Sequence, residues 1–386
     1  MTNHFLTERL REFGTTIFTQ MSALAVETSS VNLGQGFPDT DGPSEVAEAA
    51  CRAIREGHNQ YPPLPGIEPL RVAIADHRRR FRGQDFDPDG EVLVTAGATE
   101  ALAAAMLALT GPGDEVVTFE PYYDSYAAGI ALSGATRRVV TLRAPDWSFD
   151  PDELRAAFTP STRVFLLNTP HNPTGKVFSR DELRLIADLC CEHDVVAVTD
   201  EVYEHLVFEG EHIALATLPG MAERTLTVSS AGKIFSFTGW KIGWACGPAD
   251  LVAAVRTAKQ FLTFVSGAPL QHAVAAGLAL GDDFFDGYTA EMRAKRDRLC
   301  GGLADVGFEV LVPDGTYFAS CDIRALGGTD GIEFCLALPE RAGVVAVPTM
   351  VFYDDKEAGK PIIRFAFCKQ DDVLDQAIGR LRAGFC

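Results

Sequence analysis

The chain is short of basic residues, with 34 lysines and arginines against 53 aspartates and glutamates and a formal charge of −19. That balance excludes nucleic acid or an anionic membrane surface as the main partner. Long apolar runs are also missing. The longest, Ala101 to Leu109, is about half of the ~20 residues that a membrane-spanning helix needs. The first ten residues carry no apolar core and no cleavage-site pattern, so no signal peptide is expected. The nine cysteines are odd in number and scattered, without a C-x-x-C pair and with only Cys190 and Cys191 adjacent. They read as reduced thiols of a cytoplasmic protein, and none stands out as a nucleophile. No glycine fingerprint opens an early βαβ unit, which argues against a nicotinamide oxidoreductase. The N-terminus has no room for a helix-turn-helix module, which argues against a transcription regulator. No internal repeat, low-complexity tract or long linker appears.

What is present is a globular composition, 47% hydrophobic and 23% charged, over 386 residues. A chain of that length is expected to form two domains. Apolar, β-branched runs at 91–95, 115–119, 138–142, 163–167, 195–199, 224–228 and 241–246 alternate with helical segments or loops. Runs without alternation suit strands buried on both faces, so the expected class is α/β, a mainly parallel sheet of seven strands with helices on both faces. After about Gly281 a long charged helix (285–303), strands near 308–312, 316–321 and 362–367 and a terminal helix from Asp371 predict a smaller α+β domain. The expected division is 1–44 as an N-terminal arm belonging partly to the small domain, 45–280 as the large domain and 281–386 as the small one.

The chemistry centres on Ser230-Ala-Gly-Lys233 and Thr238-Gly-Trp-Lys241-Ile-Gly-Trp. A lysine flanked by small and hydroxylated residues, with no carboxylate nearby in sequence, is suited to be a partly desolvated amine nucleophile. Ser230 and Lys241 are candidates for a phosphate. Residues 92–102 read strand, glycine turn, helix, and the helix start at Ala98 and Thr99 presents free N–H groups and a positive dipole end to an anion. Glu120-Pro-Tyr-Tyr-Asp-Ser-Tyr126 offers Tyr123 for stacking on a flat ring, with Tyr122 and Tyr126 read as ordinary packing. Asn168-Thr-Pro-His-Asn172-Pro-Thr-Gly locks a loop at a strand end, where Asn172 offers an amide to a ring oxygen and His171 is accessory. Asp200 closes a buried strand, either paired with a protonated ring nitrogen or acting as a helix N-cap, and Tyr203 follows it by three residues. Arg364 stands alone in an apolar strand, as a carboxylate clamp or as an edge arginine reaching water.

These motifs, with N-L-G-Q-G-F-P-D at 32–39, N-Q-Y at 59–61 and I-R-F at 363–365, resemble those of the class I/II aminotransferases, fold type I pyridoxal 5'-phosphate enzymes. Within them the chain is most similar to the actinobacterial N-succinyldiaminopimelate aminotransferases and to kynurenine aminotransferase/glutamine transaminase K. The resemblance implies a pyridoxal phosphate cofactor on Lys233, with Asp200 and Tyr203 completing the catalytic set. It implies Gly36, Asn172 and Arg364 at the substrate carboxylate and Tyr61 reaching the cofactor phosphate of a neighbouring subunit, hence a homodimer. Phe18 stands where the kynurenine group usually has tryptophan in the substrate pocket. The implied reaction moves an amino group between an amino acid and a 2-oxo acid, with N-succinyl-LL-2,6-diaminopimelate as donor or product. The alternative is a kynurenine, glutamine or methionine aminotransferase with β-lyase side activity.

Overall fold

The computed structural model describes residues 5–385; Met1–His4, part of the segment for which no signal peptide is expected, and Cys386 lie outside them. Seven strands make the large sheet: β1 Val92–Thr95, β2 Glu115–Glu120, β3 Thr136–Thr141, β4 Thr162–Asn168, β5 Val196–Asp200, β6 Thr225–Ser230 and β7 Gly243–Cys246. Their order is β1-β7-β6-β5-β4-β2-β3. All neighbours are parallel except β7, which runs antiparallel to both β1 and β6. The central strands β5 and β6 are almost wholly buried, as strands covered on both faces must be. The edge strand β3 instead alternates at its start, with Thr136 and Arg138 exposed and Arg137 half-buried on the other face, and two such charges discourage further pairing at a sheet edge.

A second, antiparallel sheet follows: β8 Glu309–Leu311, β9 Phe318–Asp322, β10 Val347–Pro348 and β11 Ile362–Ala366, in the order β10-β11-β9-β8. Helix Asp282–Val306 packs on the terminal helix Asp371–Phe385 beside it. The seven runs and the three later strands expected from the sequence are all strands. The two-residue strands Val31–Asn32 and Val344–Val345, paired in parallel, were not expected, because two residues carry no periodicity. That pairing ties the N-terminal segment to the C-terminal part of the chain. The eight described cysteines are all free. Among the described residues no helix is long and apolar enough to cross a membrane.

Three parallel strands end side by side on polar residues, Asn168 on β4, Asp200 on β5 and Ser230 on β6. Ligands of open α/β sheets collect at these carboxyl ends. Here the second sheet covers them, and a cavity of about 290 Å³ lies between.

Candidate active site

Asp200 is 4% exposed, and no helix begins after it, so the N-cap reading does not hold. Its Oδ2 accepts the Tyr126 hydroxyl at 2.6 Å and its Oδ1 the Val202 N–H at 3.3 Å. Among the described residues no cation pairs with it. Burial pushes its pKa up to about 6, against those hydrogen bonds and the pull of Lys233. A buried carboxylate in that state favours a cationic N–H partner.

Lys233 lies on the single helical turn Ala231–Ile234 that follows β6. Its Nζ donates to the Tyr317 hydroxyl at 2.9 Å, and Tyr317 in turn donates to the Gly36 carbonyl at 2.7 Å. Burial lowers the lysine pKa to about 8; Cys368 and Asp200 raise it, while Lys241 and Arg364 lower it further. An amine so placed is a usable base and nucleophile near neutral pH. Tyr203 stacks edge-on against Tyr317, with centroids 5.2 Å apart, and burial raises its phenol pKa.

At one end of the cavity is an anion corner. Helix Gly97–Leu109 starts there, and Gly97, Ala98 and Thr99 line the wall with Ser230 and Lys241. Lys241 Nζ stands 3.5 Å from Thr99 Oγ1, and it makes no ion pair among the described residues. Gly97 has φ +75°, and a Cβ on it would sit 3.2 Å from Lys241 Nζ. A Cβ on Gly243 would lie 2.5 Å from the Gly97 carbonyl carbon, so β7 approaches the helix start only because residue 243 is glycine.

At the other end is Arg364, 1% exposed. Its Nη1 donates to Asn172 Oδ1 at 2.9 Å and its Nη2 to the Gly34 carbonyl at 3.2 Å, while its Nε has no partner. The guanidinium lies 3.9 Å from the Phe318 ring centre and 5.3 Å from that of Phe18. Burial lowers its pKa to about 10, and no carboxylate pairs with it among the described residues. The edge-arginine alternative is excluded by this burial.

Twelve of the thirteen residues singled out from the sequence line this one cavity: Phe18, Gly36, Ala98, Thr99, Tyr123, Asn172, Asp200, Tyr203, Ser230, Lys233, Lys241 and Arg364. Tyr61 does not. It is 82% exposed on the surface, edge-on to Phe264 at 5.7 Å, so within a single chain it reaches nothing at the site. The reading of Tyr126 as packing is corrected by its hydrogen bond to Asp200, whereas Tyr122 does lie outside, bonded to Asp354. Tyr317 was missed altogether. It lies 84 residues from the lysine that it touches, and no local pattern marks that contact. His171 does not line the cavity; it is bonded to Thr174, and burial lowers its pKa to about 3.

Residues 28–381 match the family model "Aminotransferase class I and II". The chain belongs to the class I and II aminotransferases. A relative from Mycobacterium tuberculosis named "Probable N-succinyldiaminopimelate aminotransferase DapC" is 53% identical over 97% of both chains. The solved structure of N-succinyldiaminopimelate aminotransferase from Mycobacterium tuberculosis superposes with a TM-score of 0.96 at 54% identity, covering 98% of this chain and 99% of that one. The methionine aminotransferase of Escherichia coli is 41% identical over 99% of this chain and 100% of its own. The protein is thus an aminotransferase of small-molecule amino-acid and 2-oxo-acid substrates, in a family that uses pyridoxal phosphate.

Proposed function

We propose that this aminotransferase holds pyridoxal 5'-phosphate in the cavity and acts on N-succinyl-LL-2,6-diaminopimelate with glutamate and 2-oxoglutarate, in lysine biosynthesis in the cytoplasm. The observation that carries the reading is the charge pattern of one cavity: an unmatched carboxylate at Asp200, an amine at Lys233, an anion corner at Lys241 and an unmatched guanidinium at Arg364. Pyridoxal phosphate complements the first three, as a ring cation, an aldehyde and a phosphate, and an amino-acid carboxylate complements the fourth.

When bound, the cofactor supplies an aldehyde for the amino group and a ring that takes up the electrons of the breaking Cα–H bond. In this reading Asp200 keeps a proton on the ring nitrogen, and Tyr126 and the Val202 N–H keep Asp200 in place. Asn172 and Tyr203 serve the ring oxygen, and Tyr123 stacks on the ring. Ala98, Thr99, Ser230 and Lys241 hold the phosphate. Arg364 and Asn172, with backbone at Gly36, grip the substrate carboxylate. Lys233 takes the proton from Cα and later returns one to carbon.

The division into a large domain, 45–280, and a small one built from 281–386 with the 1–44 arm belongs to the same proposal. So does a homodimer in which Tyr61 reaches the phosphate of the other subunit, a role that fits its exposed position. Substrate choice rests on the similarity to the mycobacterial enzyme. Thr238 lines the cavity and offers a hydroxyl to a further carboxylate, whereas the Gln35 amide N–H groups already donate to the Phe18 carbonyl and the Ser22 hydroxyl. Comparing kcat/KM for the succinylated compound, kynurenine, methionine and glutamine tests the choice. A preference of tenfold or more for one of the last three, about 1.4 kcal/mol in transition-state binding, overturns it.

A further inference from the structure

We infer that Tyr317 is a positioning residue for Lys233, one that fixes which way the amine points and ties it to the loop at the substrate carboxylate. The inference deepens the reading above and rests on Lys233 being the group that moves the Cα proton. Tyr317 is fully buried at the start of the second sheet, and its hydroxyl has three close polar neighbours, the Tyr203 hydroxyl included, which can itself donate to it. One is the Gly36 carbonyl at 2.7 Å, which can only accept. The phenol proton is therefore committed to Gly36, and toward Lys233 the Tyr317 oxygen offers lone pairs alone. Lys233 must donate an N–H at 2.9 Å, and a neutral amine that donates there turns its own lone pair away from Tyr317.

The same short segment is held at two further carbonyls. Arg364 Nη2 donates to the Gly34 carbonyl at 3.2 Å, and Lys369 Nζ donates to that of Phe37 at 2.8 Å. Three side chains of the C-terminal part thus grip residues 34–37, and Tyr317 is the one that also touches the reactive amine. The proton that Lys233 removes from Cα rides on Nζ until it returns to carbon, so the direction of the Nζ lone pair sets the transfer geometry. Small misplacements there are costly in rate.

Tyr317→Phe removes the oxygen and keeps the ring. The steady-state rates of the holoenzyme with ordinary and Cα-deuterated substrate give the deciding readout. We expect kcat to fall roughly tenfold or more, with KM little changed and the deuterium isotope effect on kcat enlarged, since proton transfer becomes slower than the other steps. A second readout needs no turnover: the pH midpoint for acylation of Lys233 in the cofactor-free protein, followed by peptide mass. Asp200 and Cys368, which favour the ammonium, and Lys241 and Arg364, which oppose it, stay in place. Loss of an acceptor that favours the ammonium moves the midpoint to lower pH. Should the variant fail to fold, 3-fluorotyrosine at position 317 keeps the shape, weakens the oxygen as an acceptor and is expected to move both readouts the same way by less. Wild-type kinetics, isotope effect and midpoint, with only a lower unfolding temperature, overturn the inference. So does a raised KM at unchanged kcat, which makes Tyr317 a prop of the substrate loop. Lys233→Ala tests the underlying reading separately, because retained exchange of the Cα proton in that variant removes the base and not its orienter.

Discussion

Asp200 and Arg364 are opposite cases of one electrostatic problem, a charge held out of water without its counter-ion. Asp200→Asn leaves the Tyr126 contact possible and the fold intact, and we expect it to bind cofactor while turnover collapses, because an amide does not keep a ring nitrogen protonated. Near-normal turnover would show that the carboxylate serves the fold alone. Arg364→Ala is expected to lower kcat/KM by about 2–5 kcal/mol for a desolvated charge pair, chiefly through KM. Unfolding curves distinguish this from lost packing against Phe318 and Phe18, which lowers stability and spares the kinetics of the protein that remains. Both residues were legible in the sequence, since each carries its charge at an apolar strand where charge is conspicuous. Tyr126 and Tyr317 were not. An aromatic residue in an apolar stretch reads as core, and only the fold brings their hydroxyls to Asp200 and Lys233.

Among the elements, strands were easier to read than their directions. Seven β-branched runs, most of them unalternating, gave seven strands, but nothing in Gly243–Cys246 announces that it runs against its neighbours. The start of helix Gly97–Leu109 shows what that antiparallel strand permits. Gly97→Ala forces a side chain into a left-handed backbone region and toward Lys241, at a cost of about 1–3 kcal/mol. We expect the variant to release pyridoxal phosphate more readily while Lys233 remains reactive. The check is a cofactor dissociation constant measured beside wild type; an unchanged value would show that the anion corner tolerates a Cβ.

For the whole molecule, a second buried network lies beneath the Asp200 loop. Arg78 bonds Glu201 at 2.9 Å and Glu204 at 2.7 Å, with all three side chains inaccessible. Burial alone pushes the Glu204 carboxyl up, but Arg78 and Arg82 hold it well below its usual range. Removing Arg78 leaves Glu204 with Arg82 and Glu201 with His212 but takes away the cation that bridges them, and Arg78→Ala is expected to cost about 3–5 kcal/mol of stability, measurable by denaturant unfolding. Acid acts on this network through His77, and on the loop after β4 through His171. Burial lowers the His77 pKa to about 4 and that of His171 to about 3, so between pH 6.5 and those values the unfolded chain binds protons that the native one refuses. Stability therefore falls by several kcal/mol as pH drops through that window, and Glu204 adds its loss below its unfolded pKa. Asp200, raised to about 6, works in the opposite sense between about 6 and 3.8 and softens the decline in the cofactor-free protein. Midpoints of urea unfolding at successive pH values report the sum; stability that stays level from neutral pH down to 4 would contradict it.

The unmatched charges of the cavity also bear on how long the protein lasts in a cell. A group that binds only the folded chain stabilises it by an amount that grows with its free concentration. Asp200 and Arg364 stay buried without a counter-ion whenever the cavity holds neither cofactor nor substrate. Vitamin supply thus becomes a term in protein abundance. With pyridoxal phosphate as its ligand, as proposed above, this enzyme would be thinned by proteolysis as well as idled in a cell starved of it, and restoring the vitamin would revive the surviving chains at once but replace the lost ones only as new chains are made.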